Sequence, residues 1–345
     1  MKKVGKNIVM SLAIPVIVYL FFFILCNATG HTGFGVGADL QTILYTSVYS
    51  GLIAMSMAIN LTSGRFDFSI GATMVLAIII GGNVAKDHEL GAGGLLLLTV
   101  LIGLALGLVS GLVYTLLGLP PMVVSLGLAM IYEAAGFMFN KAKGVKLMGK
   151  NDMLIFAKLP WAVIVIAVVL AVMVVLWDFT KFGYERKALA TGQKIATDMG
   201  INEKKNAVIC YVISGVLLGI AGCVYISKYG TVSPETGLSS SSYFMTAFLP
   251  MFIGGAIAKY SSQPVGIYIG AITQAFITSG LSWLGFSSSA MTVMNGIIVM
   301  AFLIYTSNSH LLVEQRMFKE KLAKARAARG DMTQAVDVTD EGINR

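Results

Sequence analysis

Inside otherwise apolar runs the chain carries a few groups able to hydrogen-bond or ionise: Arg65, Asp67 and Ser69 in one cluster, and Ser125, Glu133 and Asn140 at helical spacing in another. A charge held in an apolar run is expensive, which makes each a candidate for contact with a polar solute or with another side chain. Asp67 and Ser69 precede the apolar stretch Ile70 to Ile80, and either can cap a helix there, satisfying orphan amides at its positive end. That end serves the fold alone or a passing polar solute. On a helix, Ser125, Ala129, Glu133, Gly136 and Asn140 share one side, a small and polar stripe that faces either another helix or water. This chemistry is reversible hydrogen bonding, not covalent catalysis.

Motifs for other chemistry are missing from the sequence. No G-x-x-x-x-G-K-[ST] loop is present to hold nucleotide phosphates, since Gly5-Lys6 and Gly149-Lys150 are each followed by Asn. The glycine-rich turn at Gly33, Gly35 and Gly37 lacks the strand and helix of a dinucleotide fingerprint. Neither G-x-S-x-G nor H-E-x-x-H occurs. His31, His88 and His310 are scattered, and Cys26, Cys210 and Cys223 form no C-x-x-C and read as small packing residues. No catalytic residue, metal site or cofactor of the chain's own is expected.

The elements that must position the polar groups follow from composition. Of 345 residues 56% are hydrophobic and 12% charged, far below the roughly 25% charged content of soluble domains. Apolar runs fall near 8–26, 40–61, 69–85, 92–117, 121–139, 160–177, 207–227, 243–258, 264–283 and 289–306. Several reach the roughly 20 residues that cross a bilayer as helix, and alternating strand signals are missing, so an all-α polytopic membrane bundle of about ten transmembrane helices is expected. Lys2, Lys3 and Lys6 precede a first run too long for a signal peptide and without an A-x-A-like exit, so it reads as the first span. Glycine is abundant, 38 residues, and the four-residue spacing of Gly103, Gly107 and Gly111, of Gly215 and Gly219, and of Gly266 and Gly270 predicts close helix packing.

The formal charge of +8 is read as orientation and not as a nucleic-acid footprint, because Lys and Arg concentrate in connections and in the tail. Residues 1–306 form the transmembrane domain on this reading, and 307–345 a basic juxtamembrane helix followed by a disordered tail. Arg316, Lys319, Lys321, Lys324, Arg326 and Arg329 put the C-terminal side with the N-terminus in the cytoplasm. The connection 178–206 falls on the same side, whereas the lysine-rich connection 140–159 is placed outside against its own charge. Within 182–206, Ala188, Ala190, Ala196 and Met199 with Gly192 and Gly200 predict a short helix, a turn and a second helix that Gly200 ends. Such an element either docks a partner or only joins two spans.

That segment resembles the cytoplasmic loop of ABC importer permeases of the ribose and branched-chain amino acid type, matching at Phe182, Gly183, Arg186, Ala190, Gly192, Ala196, Gly200 and Ile201. Tyr211 to Gly237 (YVISGVLLGIAGCVYISKYGTVSPETG), Thr62 to Gly71 (TSGRFDFSIG) and Pro120 to Gly127 (PPMVVSLG) are similar to further motifs of that family, in family order. The resemblance implies a type II importer-like bundle in the bacterial inner membrane. It also implies a second permease subunit, identical or different, and a solute-binding protein outside. A separate ATPase, with ATP and magnesium bound there, would dock on Gly183, Glu185, Arg186, Ala190, Gly192, Ala196, Gly200 and Ile201. The solute it implies is small and hydrophilic, a monosaccharide first, with a nucleoside, an amino acid or another polar ligand behind it. A secondary transporter or channel is the competing class.

The chain departs from the family at Arg65, usually Gly, and at Glu133, often Arg. Opposite charges at two unusual positions lead us to expect that Arg65 and Glu133 pair near the translocation pathway, which Arg65, Asp67, Ser69, Ser125, Glu133 and Asn140 would line. Pro250 in TAFLPMFIGG is expected to break the eighth helix. Orientation is testable directly. A reporter cysteine at Gly192 should resist a membrane-impermeant maleimide applied outside intact cells, and one at Lys146 should react; efficient labelling at Gly192 overturns the orientation.

Overall fold

Long runs of Leu, Ile, Val, Ala and Gly have no water to bond with in a bilayer, so each closes its own backbone hydrogen bonds as helix. The computed structural model describes residues 2–287, 289–301 and 303–304; the juxtamembrane helix and tail expected over 307–345 lie outside the described residues. The helices are α1 (Lys2–Ala28), α2 (Ala38–Leu61), α3 (Ile70–Asp87), α4 (Gly91–Leu117), α5 (Pro121–Met138), α6 (Trp161–Asp178), α7 (Lys181–Thr191), α8 (Gln193–Asp198), α9 (Glu203–Tyr229), α10 (Ser241–Met245), α11 (Phe248–Ile257) and α12 (Gln263–Trp283). A further apolar helix, α13, covers Ser289–Ala301. Two short strands, β1 (Val145–Lys146) and β2 (Thr231–Val232), pair antiparallel with Val145 opposite Val232. The chain divides into two units at Asn295 and Gly296, and the architecture below is that of the first.

Among the described residues eight helices are long and apolar enough to cross a membrane, and two of the ten expected segments are shorter, Ser241–Ile257 and Ser289–Ala301. The first of these is not one helix but two, α10 and α11. Pro250 is not where it breaks: the interruption falls at Thr246 and Ala247, and Pro250 lies in the first turn of α11, where its missing N–H removes no helical bond.

The most extensive helix pair is α4 with α9, and glycine makes it possible. A Cβ at Gly103 or Gly107 would collide with the carbonyls of Gly215 and Tyr211, and one at Gly215 or Gly219 with those of Gly103 and Thr99. The backbones touch directly, as the spacing predicts. Gly266 and Gly270 do the same against Gly254 and Pro250, so α11 and α12 lie antiparallel in close contact. The helices α2, α3 and α9 form the centre, with 72%, 78% and 67% of their spanning windows buried, whereas α1, α4 and α6 lie at the perimeter, with 22%, 28% and 28% buried.

The bundle has two distinct ends. Arg186 of α7 bonds Thr62 after α2 and Gln263 at the start of α12, which places the 178–206 connection beside those termini. At the other end the β1–β2 pair covers α3, with Val145 against Gly82, and Asp39 of α2 accepts from Ser279 of α12. The connection 140–159 therefore lies at the end opposite 178–206, as expected despite its lysines. Tyr19 packs on Phe276 and Cys26 on Gly280, so α1 runs parallel to α12 and its N-terminal end lies at the 178–206 end.

The close contact sets a stability prediction. Gly215→Leu should lower the apparent Tm in detergent by an amount equivalent to about 1–3 kcal/mol or more, whereas Gly127→Ala, with open space around it, should leave it unchanged. Equal Tm values for the two variants would remove the α4–α9 contact as a determinant of packing.

Candidate functional site

The segment after α6 folds as the glycine pattern predicts. Thr180 caps α7, its hydroxyl accepting from the Gly183 amide at 3.3 Å, and a Cβ on Gly183 would strike the Trp177 carbonyl. Gly200, at φ +90, ends α8; its amide bonds Thr197 O at 2.9 Å and that of Ile201 bonds Ala196 O at 3.1 Å. Asn202 then opens α9 by accepting from the Lys205 amide at 3.0 Å. Cap, turn and cap make α7–α8 a defined element.

Of the residues expected to dock a partner there, Gly183, Arg186 and Ala196 are buried, Glu185, Gly192 and Ile201 are half-buried, and Ala190 and Gly200 are exposed. Arg186 points inward. Its guanidinium stacks on Trp177 at 4.2 Å, donates to Gln263 Oε1 at 3.0 Å and bonds the Thr62 hydroxyl. Burial pulls its pKa down to about 10, which leaves it charged at neutral pH. It ties α7 to α6, α2 and α12. The outward surface presents Ile195, which the sequence reading missed, and Met199, which it counted in the periodic interior; they are 65% and 80% exposed. Their signal was legible, because an apolar pair four apart in an otherwise polar helix has no reason to face water.

The two buried charges are not partners, contrary to the expected ion pair. Arg65 donates to Asn206 Oδ1 at 3.2 Å and to Cys210 Sγ at 3.3 Å, with the Glu203 carboxylate 3.9 Å away. Glu203 also accepts from Tyr114 at 3.2 Å. Glu133 accepts the backbone amides of Leu238 at 2.8 Å and Ser240 at 2.9 Å. The reason is local supply: α9 begins beside the α2–α3 link and offers Arg65 a carboxylate and an amide, while both oxygens of Glu133 are committed to backbone.

That commitment explains an irregular stretch of chain. Val232 lies level with Gly82 through the strand pair, whereas Ser240 rests on Gly71, eleven residues earlier on α3. Between them the chain descends about 16 Å, half the roughly 30 Å of a hydrocarbon core, without helix. Its amides need partners inside the protein, and Glu133 supplies two.

The remaining polar candidates also bond the fold. Asp67 Oδ1 accepts the Ser69 amide at 2.8 Å and its hydroxyl at 2.6 Å. Ser69 is the N-cap of α3, yet neither side chain accepts a first-turn amide of that helix, so the expected side-chain cap is replaced by a turn within the 62–69 link. Ser125 donates to Met122 O at 3.2 Å and Phe66 O at 3.4 Å. The stripe on α5 faces a helix: Gly136 abuts Leu76 and Ile79 of α3. Asn140 lies past α5 in a turn at φ +52, donating to Asn83 Oδ1 at 3.1 Å and Gly144 O at 3.2 Å. Among the described residues no three His, Cys, Asp or Glu side chains converge as a metal site.

Comparison with known proteins matches residues 40–305 to the family described as branched-chain amino acid transport system / permease component. The autoinducer 2 import system permease protein LsrC of Photorhabdus laumondii subsp. laumondii is 26% identical, the match covering 89% of this chain and 92% of that protein. The ribose import permease protein RbsC of Bacillus subtilis is 25% identical over 81% of this chain and 88% of its own length. The fructose import permease protein FrcC of Rhizobium meliloti is 22% identical over 83% and 82%. No solved structure matches significantly.

Separate partners predict separate energetics. Glu133→Ala should cost about 2–5 kcal/mol by stranding two amides, and Glu133→Gln less, because one acceptor remains. Combining Arg65→Gly with Glu133→Arg should give the sum of the single stability changes, to within about 0.5 kcal/mol; recovery in the double variant would restore the ion pair.

Proposed function

The chain belongs to the family of branched-chain amino acid transport system permease components, and on that premise we propose that it is the membrane subunit of a binding-protein-dependent ABC importer. It carries a small hydrophilic solute, a monosaccharide or a close chemical relative, on ATP hydrolysed with magnesium by a separate subunit. The observation that carries this reading is α7–α8, a capped element that shows Ile195 and Met199 outward and roots Arg186 inward. An exposed apolar pair on a rigid stub fits a cleft in another protein. The sugar assignment draws on relatives named for autoinducer 2, fructose and ribose import. The family description itself names amino acids, which keeps that class as the alternative.

In this mechanism the ATPase grips α8 on the cytoplasmic side, where both termini also lie, and its closure moves α7. Arg186 passes the movement to the ends of α2, α6 and α12, and the direct backbone contact of α4 with α9 carries it across the bundle as a rigid displacement. Arg65, Asp67, Ser69, Ser125 and Glu133 hold the irregular links 62–69 and 233–240 that border the route, and Asn140 fixes the outer loop. The binding protein delivers solute at the β1–β2 end, and a second permease subunit completes the pathway.

Replacing Ile195 and Met199 by Glu should abolish uptake and cut co-purification of the ATPase roughly tenfold or more, as expected for lost apolar anchors, while the permease still reaches the membrane. Ala190→Glu should do the same. Wild-type assembly and transport in these variants would remove α7–α8 as the coupling element. A thermal-shift screen of the partner binding protein against sugars, nucleosides and amino acids assigns the solute, and stabilisation only by an apolar ligand overturns the hydrophilic class.

A further inference from the structure

Four tyrosines converge toward the β1–β2 end of the bundle. Tyr225 of α9 packs on Tyr229 at 4.5 Å, on Tyr49 of α2 at 5.3 Å and on Tyr243 of α10 at 5.5 Å. Tyrosines at a membrane surface ordinarily form a belt facing lipid headgroups from perimeter helices. These do not: α2 and α9 are central helices, and the rings face one another from three elements. The hydroxyls of Tyr49 and Tyr229 lie 3.3 Å apart. Yet the cluster is not sealed, since Tyr229 is 43% exposed and the other three are half-buried.

Two opposite charges border it without pairing with each other. Lys228 stands 5.1 Å from the ring of Tyr229 and 5.7 Å from that of Tyr49, and bonds the Thr46 hydroxyl. Glu235, on the descending segment, accepts from Ser239 at 2.7 Å and from Tyr243 at 3.4 Å. A partly exposed cluster of aromatic rings bordered by one amine and one carboxylate suits a particular chemistry. Ring C–H faces of a polyol stack on tyrosine, its hydroxyls donate to the carboxylate, and its oxygens accept from the amine and phenols. Immediately deeper, the rings become phenylalanine: Phe68 and Phe244 lie 5.3 Å apart and Phe66 and Phe248 5.9 Å. Polar capture therefore ends where the apolar rings begin.

We infer that Tyr49, Tyr225, Tyr229, Tyr243, Lys228 and Glu235 form a contact site for a small polyhydroxylated solute in the outer half of the permease. The site rests on the importer reading above and adds a specificity element within this chain. Lys228 and Glu235 fix the orientation of the solute, and the tyrosines exclude water from one face of it.

The test is saturation-transfer NMR on the full chain in lipid nanodiscs, with D-ribose, D-fructose and L-leucine each at millimolar concentration. Sugar ring protons should receive saturation from the protein, and Tyr229→Ala or Glu235→Gln should reduce it about fivefold, the loss expected from one ring contact or one hydrogen bond, while Trp161→Ala at the perimeter leaves it intact. Glu235→Gln preserves shape and keeps the test valid if Tyr229→Ala lowers the yield. Sugar saturation unchanged in both variants overturns the site and leaves the importer reading standing. Saturation of leucine alone, lost in the variants, overturns the polyhydroxylated class together with the monosaccharide assignment. Absence of saturation from all three probes overturns the site, and the importer reading is then judged by uptake in cells, which depends on the coupling element and not on these residues.

Discussion

Backbone that is not helical can lie inside a membrane protein only if the protein itself satisfies its amides and carbonyls, and the arrangement of this chain follows from that constraint. The segment between α9 and α12 enters as extended chain, turns into α10, breaks at Thr246 and Ala247 and finishes as α11. A carboxylate buried in α5 accepts two amides of the entering segment, and Gly71 leaves room for the Ser240 carbonyl. Burying Glu133 is tolerable because its charge is spread over two donors that would otherwise be orphaned. The segment thereby brings Glu235 and Tyr243 against Tyr225 of α9.

A second consequence of burial appears at the opposite end. Arg65 and Arg186 are each about as inaccessible as a core leucine, and each ties elements far apart in sequence. Arg65 joins the α2–α3 link to the start of α9, and Arg186 joins α7 to α2, α6 and α12. A guanidinium suits this work because its planar fork reaches several acceptors from one position and stacks on an indole. On the proposed coupling, a movement of α7 would drag those helix ends with it. The glycine-lined contact of α4 with α9 leaves little side-chain slack to absorb such a movement, since backbone meets backbone.

Much was legible in the residues themselves. Apolar runs give spans because a bilayer imposes one length and one way of closing hydrogen bonds. Four-residue glycine spacing gives contact faces because the helical repeat is local, and Gly200 ends α8 because a left-handed residue there costs glycine little. The ends of the connection 178–206 were readable for the same reason: caps and stop signals act within a turn or two of the residues that make them.

Tertiary structure alone decided who bonds whom. Arg65 and Glu133 were matched by sign and rarity, yet charge says nothing about distance, and α9 brings Glu203 and Asn206 to Arg65 across more than a hundred residues. The helix breaks at Thr246 and Ala247 and not at Pro250, the residue whose type pointed to a break. Ile195 and Met199 carried a signal in their four-residue spacing, but which side faces out is set by the burial of Ala196. The tyrosines of α2, α9 and α10 are unremarkable in sequence and become a site only where three helices meet. Local hydrogen bonding and helical repeat thus belonged to the sequence, whereas partners distant in the chain were selected by which helix ends the packing brings together.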